Sequence, residues 1–286
     1  MRAEILHAEM VRDVARRALA EDVGHEDVTT DALFDKSIPA RGTVVSEEPH
    51  TVVLAGLRVT LAVFAEVDAG LMCLPEFDDG QCVPAGECIL TVEGDGRSIL
   101  KSERVVLNFL QHLTGIASLT AKFCEAVKGT SVQILDTRKT TPGLRALEKW
   151  AVRLGGGQNH RFGLDDGVLI KDNHLALADS DVVAACRRTR ERAPLGFRIE
   201  VETKTLEEVG AALAGKADII MLDNMSVPMI RDALAVIKGR ALVEVSGGVT
   251  LANVREIAAA GPNFISIGAL THSAPAVNLS LDLIKQ

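Results

Sequence analysis

The spacing of apolar residues changes near residue 100, and with it the kind of structure the chain predicts. In the first part, Met10, Val14, Ala18 and Leu19 recur at helical spacing and predict a helix over 7–20, with Gly24 closing the region. The polar stretch EDVGHEDVTTD follows, and within it HEDVTTD (25–31) reads as a helix exit and capping residues in preference to a metal loop. Residues 41–100 mix strand-like runs (GTVVSE, TVVLAG, CILTVEG) with one helical run from Leu57 to Val67. Glycine and proline punctuate 75–96 densely, so this part predicts a small α+β region.

Beyond residue 100 the pattern is long-range and regular. Val105, Phe109, Leu113, Ile116, Leu119 and Phe123 predict a helix over 102–128, interrupted at Thr114-Gly115. Strand-like runs then follow at QILDT (133–137), GVLIK (167–171), RIEVE (198–202), DIIMLDN (218–224), ALVEVSG (241–247) and NFISIGA (263–269). Helical runs at 144–154, 179–192, 205–214, 227–238 and 250–260 separate them. Continuously apolar strands joined by helices predict a buried parallel sheet, closed as an α/β barrel of which six strands are visible. The active sites of such barrels lie at the C-terminal strand ends. Here those ends carry Asp136, Arg138 and Lys139, then Lys171, Glu200 and Glu202, Asp223, Ser246-Gly247-Gly248, and Gly268.

Composition narrows the chemistry. The chain has 286 residues and a formal charge of -8, from 31 Lys+Arg against 39 Asp+Glu. Yet TRKTTPGLRALEKWAVRLGGGQNHRFGLDDGVLIKDNH (137–174) concentrates Arg138, Lys139, Arg145, Lys149, Arg153, His160, Arg161, Lys171 and His174. A local cationic site on an acidic protein points to a small, highly anionic ligand and away from nucleic acid. An aromatic content of 3% also disfavours base stacking. Five scattered cysteines without a CxxC pair suit reduced thiols in a cytoplasmic protein, not a disulfide framework or a cysteine zinc site. No apolar run approaches the roughly 18 residues of a membrane span, and the N-terminal stretch lacks a signal-peptide pattern.

Arginine forks match carboxylates bidentately, so Arg138 and Arg161, with His160 adding a hydrogen bond, read as carboxylate binders. Ser246-Gly247-Gly248 ahead of a helix, and Gly268 after the next strand, suit a phosphate. Glu202 and Asp223 end neighbouring strands and suit Mg2+ or sugar hydroxyls. His7, His50 and His112 have no partners nearby in sequence and read as structural. Without GxSxG, GxGxxG or a Walker A pattern, a serine hydrolase, a dinucleotide site and a P-loop are unsupported.

Several long motifs resemble those of the quinolinate phosphoribosyltransferases. They are ALAEDVGHEDVTTDAL, SERVVLNFLQHLTGIASLT, the 137–174 stretch, IEVET, IIMLDN, VEVSGGV and ISIGALTHS, which together run along nearly the whole chain. The resemblance implies an N-terminal α/β sandwich domain (1–104, with the C-terminal tail 270–286 returning to it) and an open seven-stranded α/β barrel (105–269). It implies phosphoribosyl transfer from 5-phosphoribosyl 1-pyrophosphate to quinolinate with decarboxylation and Mg2+, giving nicotinate mononucleotide, pyrophosphate and CO2 on the way to NAD. It also implies a cytoplasmic homodimer with shared active sites, the sequence leaving a hexamer open, and neither nucleic acid nor membrane as partner. Arg138, His160, Arg161 and Lys171, with Arg104 reaching in from the other subunit, would hold the two carboxylates. Lys139 and Lys171 would neutralise phosphates, Glu202 and Asp223 would hold Mg2+ or ribose hydroxyls, and Ser246, Gly247, Gly248, Gly268 and His272 would seat the 5-phosphate. The catalytic roles fall to Lys139, Lys171, Glu202 and Asp223. Trp150 and Thr114-Gly115-Ile116-Ala117-Ser118 are mild departures from the family's pattern. Rival readings are a molybdenum-transport-associated paralogue of the same fold, a nicotinate phosphoribosyltransferase that does not decarboxylate, and a non-catalytic phosphosugar-binding protein. The LIKDNH run, the full cationic cluster and the paired Glu202 and Asp223 weigh against each in turn.

Overall fold

A computed structural model describes residues 6–178 and 181–286. The first half carries α1 (Ala8–Asp22), α2 (Val28–Leu33), β1 (Pro39–Ser46), β2 (Val52–Val53), α3 (Leu57–Val67), β3 (Met72–Pro75), β4 (Cys82–Val83), β5 (Cys88–Asp95) and α4 (Gly96–Ala126). Then come β6 (Gln133–Leu135), α5 (Arg145–Leu154), β7 (Val168–Ile170), α6 (Asp172–Ala178), α7 (Val182–Arg192), β8 (Ile199–Thr203), α8 (Leu206–Ala214) and β9 (Ile219–Asp223). The chain ends with α9 (Val227–Ile237), β10 (Leu242–Ser246), α10 (Val254–Ala260), β11 (Phe264–Ser266), α11 (Ala269–His272) and β12 (Leu279–Lys285). Residues 179–180, which open the helix expected over 179–192, and residues 1–5 lie outside the described residues.

Two compact units emerge, one of 1–121, 140–156 and 270–286, the other of 122–139 and 157–269. The 104/105 boundary expected from sequence falls inside α4, and 140–156 groups with the N-terminal residues.

The first unit is built on an antiparallel sheet ordered β12-β1-β5-β3. The tail returns as β12, which pairs with β1 from Ala40↔Lys285 to Ser46↔Leu279. Along β1, buried Ala40, Gly42, Val44 and Ser46 alternate with more exposed neighbours, as a sheet with one covered face requires. Asp27 caps α2 by accepting from the Thr30 amide at 3.0 Å, which is the capping role expected of HEDVTTD. The interruption expected at Thr114-Gly115 is absent: α4 is continuous from Gly96 to Ala126. Gly115 serves packing instead. A Cβ there would overlap the Pro275 carbonyl oxygen, so the glycine lets the returning tail lie directly on the helix.

The second unit holds a six-stranded parallel sheet ordered β6-β11-β10-β9-β8-β7. Each strand from β8 to β11 lies beside its predecessor, and the first strand, β6, pairs with the last, β11, as in a barrel. The six strands read from sequence all form. The seventh implied by resemblance is reduced to one parallel bridge, Leu135↔Gln158, because the glycine-rich chain after α5 runs as coil. Val201, Ile220, Leu222, Val243, Val245 and Ile265 are buried, and fully burying one such side chain stabilises the fold by about 1.5–3 kcal/mol.

Candidate active site

The end of β6 organises the first part of the site. Asp136 is fully buried and its carboxylate accepts from Asn159 Nδ2 at 2.6 Å and from the His160 amide at 2.9 Å. Those bonds, with Gln158 N donating to Ile134 O at 2.8 Å, lay residues 158–160 along the strand end. His160 Nδ1 accepts from the Arg161 amide at 2.8 Å. Its proton therefore sits on Nε2, which faces Glu200 at 3.0 Å and Glu244 at 3.5 Å. Sequence suggested that His160 adds a hydrogen bond to a substrate carboxylate. Here both ring nitrogens are engaged within the protein, and the ring positions Arg161.

Beneath His160 lie two nearly inaccessible carboxyls, Glu200 (4% exposed) and Glu244 (1% exposed). Burial, together with Glu200 alongside, pushes the Glu244 carboxyl up to about 8 against the opposing pull of His160. Glu244 is thus largely protonated at neutral pH and can share that proton with Glu200. His160, Glu200 and Glu244 lie close enough to surround a cation. A metal on Nε2 would, however, need an imidazolate, since the Nδ1 lone pair is taken by the Arg161 amide. A proton, not a metal, suits that cluster.

Arg161 is lowered below the ordinary guanidinium value, first by burial and then by the field of Arg138, with Glu200 opposing. Two guanidiniums that repel one another, one of them half-buried, make a strong demand for an anion. Arg161 Nη1 also donates to Gly167 O at 2.9 Å, which fixes the fork. Lys139 is exposed just beyond, its amide held by Thr137 Oγ1 at 3.0 Å.

The ends of β7, β8 and β9 supply an ion-pair network. Lys171 Nζ pairs with Glu202 at 2.5 Å, and the Lys171 amide donates to His174 Nδ1 at 2.9 Å. Lys204 Nζ pairs with Asp172 at 2.5 Å. Its ammonium is raised chiefly by that partner, and further by the charges of Glu202 and Asp223. Asp223 Oδ2 accepts from Asn224 Nδ2 at 3.0 Å. Beyond β10, Gly247 and Gly248 adopt left-handed φ values of 87° and 63°, turning the chain after Ser246. The helix expected from 250 begins at Val254, and Asn253 organises the gap through Thr250 N (2.8 Å) and Gly248 O (2.9 Å). Gly268 stands between β11 and α11.

Arg104 and His272 belong to the first unit. Arg104 is exposed on α4 with Glu103 at 3.9 Å, and His272 ends α11 with Nδ1 at 2.6 Å from Ser273 Oγ. His112, which had no partner in sequence, faces the buried Glu148 at 2.9 Å, and Glu148 also accepts from the Thr141 amide at 3.0 Å.

Sequence reasoning passed over Glu244, Lys204 and Asn224. A glutamate inside the apolar strand VEVS was a visible signal for the first. Lys204 and Asn224 follow Glu202 and Asp223 closely in sequence, yet nothing in the pattern distinguishes them from ordinary loop residues.

A parallel α/β sheet whose strand ends gather arginines, lysines and carboxylates defines an α/β-barrel enzyme acting on small anionic molecules. The quinolinate phosphoribosyl transferase N-terminal domain family matches residues 27–114 and the C-terminal domain family residues 116–282. The nicotinate-nucleotide pyrophosphorylase [carboxylating] of Mycobacterium leprae is 44% identical over 95% of this chain and 96% of its own. A probable enzyme of the same name from Bacillus subtilis is 39% identical over 92% and 90%. The solved structure of the nicotinate-nucleotide pyrophosphorylase from Francisella tularensis superposes with a TM-score of 0.92 at 36% identity, covering 98% of each chain. The chain belongs to the quinolinate phosphoribosyl transferase family.

Proposed function

We propose that the protein transfers the phosphoribosyl group of 5-phosphoribosyl 1-pyrophosphate to quinolinate and releases CO2, forming nicotinate mononucleotide and pyrophosphate for NAD synthesis. The observation that carries the residue assignment is the pair Arg138 and Arg161, mutually repelling, with Arg161 fixed by Gly167 and by the His160 ring. Two guanidinium forks suit a dicarboxylate, and Lys171 adds a further cation.

Lys139 and Lys171 face the phosphates. The loop Ser246-Gly247-Gly248, with Gly268 and His272, seats the 5-phosphate, for which the left-handed Gly248 leaves room at the backbone. As pyrophosphate leaves, positive charge builds at the ribose, and Glu202 and Asp223 stabilise it electrostatically. The same two carboxylates form an oxygen-only donor set on adjacent strands, which fits Mg2+. When bound there, Mg2+ would supply positive charge to the pyrophosphate and ribose oxygens. Once the ring nitrogen is ribosylated it is cationic, and the electron pair left at C2 by departing CO2 is stabilised next to it until C2 takes up a proton, which gives nicotinate mononucleotide. The protein contributes orientation and exclusion of water to that step.

The same reading makes the enzyme a cytoplasmic homodimer in which Arg104 of one copy completes the site of the other. In support, Arg104 is exposed on its helix and the cysteines are free thiols. Among the described residues no helix is long and apolar enough to cross a membrane.

The test is pyrophosphate release from phosphoribosyl pyrophosphate with Mg2+, with quinolinate or nicotinate in parallel tubes. Turnover with quinolinate alone, with CO2 formed, is the expected result. Equal turnover with nicotinate, or none with either from folded protein, would overturn the assignment.

A further inference from the structure

Asn224 is exposed and follows β9 directly, yet its backbone holds a left-handed φ of 54° and its side chain is engaged on both sides. Asparagine tolerates that conformation better than most residues, but it is uncommon outside glycine. The Asn224 amide donates to Ser246 O at 2.8 Å, tying the end of β9 to the end of β10. Its Nδ2 donates to Asp223 Oδ2 at 3.0 Å. The carboxamide lies so close over Gly247 that a Cβ there would overlap Oδ1 and stand 2.5 Å from Cγ. Gly247 is therefore needed on two counts, its φ of 87° and the space Asn224 occupies. One side chain thus touches both the carboxylate at the end of β9 and the glycine loop at the end of β10.

We infer that Asn224 is a positioning residue for the phosphoribosyl half of the site, setting the Asp223 carboxylate and the 246–248 loop relative to each other. The inference rests on the proposal that these two groups receive the ribose and the 5-phosphate. It assigns Asn224 no contact with quinolinate, whose binders stand at the ends of β6 and β7 and along 158–161.

Asn224→Gly is the informative variant. Glycine accepts the left-handed backbone without strain, so the fold is retained while both side-chain contacts vanish. The expected result is an unchanged melting temperature, or a higher one. KM for phosphoribosyl pyrophosphate should rise roughly tenfold to a hundredfold, the size of a lost hydrogen bond to a charged group. Quinolinate affinity, measured by titration of the free enzyme, should stay within about twofold, inside the usual scatter of unrelated surface changes. Asn224→Asp, which replaces the donor by a second carboxylate beside Asp223, should be worse than Asn224→Gly. Gly247→Ala should cost much more in the wild-type background than in Asn224→Gly, because the overlap exists only when the carboxamide is there. Wild-type turnover with an unchanged KM for phosphoribosyl pyrophosphate in Asn224→Gly would overturn the inference and leave the function standing. Additive effects of the two substitutions would overturn it as well. Failure of the wild-type enzyme to turn over would instead remove the function on which it rests.

Discussion

Glu244 places a glutamic acid where an apolar strand would otherwise be continuous, and its proton has a thermodynamic consequence. Its carboxyl is raised from 4.5 to about 8, first by burial and then by Glu200. Between those values the unfolded chain carries an ionised Glu244 while the folded chain keeps it protonated. The stability tied to this group is therefore complete below about 4.5 and is lost as pH climbs through about 8. Glu244→Gln keeps the shape and removes the titration. Urea midpoints measured from pH 5 to 8.5 should fall more steeply for the wild type than for Glu244→Gln. Parallel curves would show that the carboxyl ionises in the folded protein as it does in the unfolded one.

At the scale of elements, two glycines in helices have opposite significance. Gly210 lies in α8 with nothing near the place of its absent Cβ, so Gly210→Ala should stabilise by up to about 1 kcal/mol through helix propensity. Gly115 lies in α4 under the Pro275 backbone. The same propensity gain there is outweighed by overpacking, typically 1–3 kcal/mol, because the obstructing atoms are main chain and cannot rotate away. Gly115→Ala should lower the denaturation midpoint, and a rise would show that the tail yields easily. The sequence could not distinguish these cases, since a glycine in a helical pattern looks the same whether it breaks, packs or does neither. That is why it suggested an interruption at Thr114-Gly115. By contrast, the six barrel strands were legible because a buried parallel strand leaves a continuous apolar run. The residues at their ends were legible because chemistry there interrupts such a run with charge. The position of His160 beside Arg161 was legible, but not the direction of its ring. That direction depends on Glu200, Glu244 and the Arg161 amide, which meet only in three dimensions. His112 and Glu148 are 36 positions apart and meet for the same reason.

For the whole molecule, the question is how many copies make one site. Two cations of the second unit are offset close by, Arg161 by Glu200 and Lys171 by Glu202, in a chain of net charge -8. A substrate with two carboxylates, arriving beside one with a pyrophosphate, makes a further cation from a second copy advantageous. Arg104 on α4 is the proposed donor, with its side chain 58% exposed and its nearest acid, Glu103, at the edge of ion-pair range at 3.9 Å. In a two-fold dimer each site would then draw Lys139 from one subunit and Arg104 from the other. Arg104→Ala and Lys139→Ala should each abolish turnover. An equimolar mixture allowed to exchange should recover about one quarter of wild-type activity. Half of randomly assorted dimers are mixed, and each mixed dimer has one doubly defective site and one intact site. Exchange is verified by following mixed dimers with a mass-distinguishable tag. Mixed dimers that form yet stay inactive would confine each site to a single subunit, and Arg104 would then have to act within its own chain or not at all.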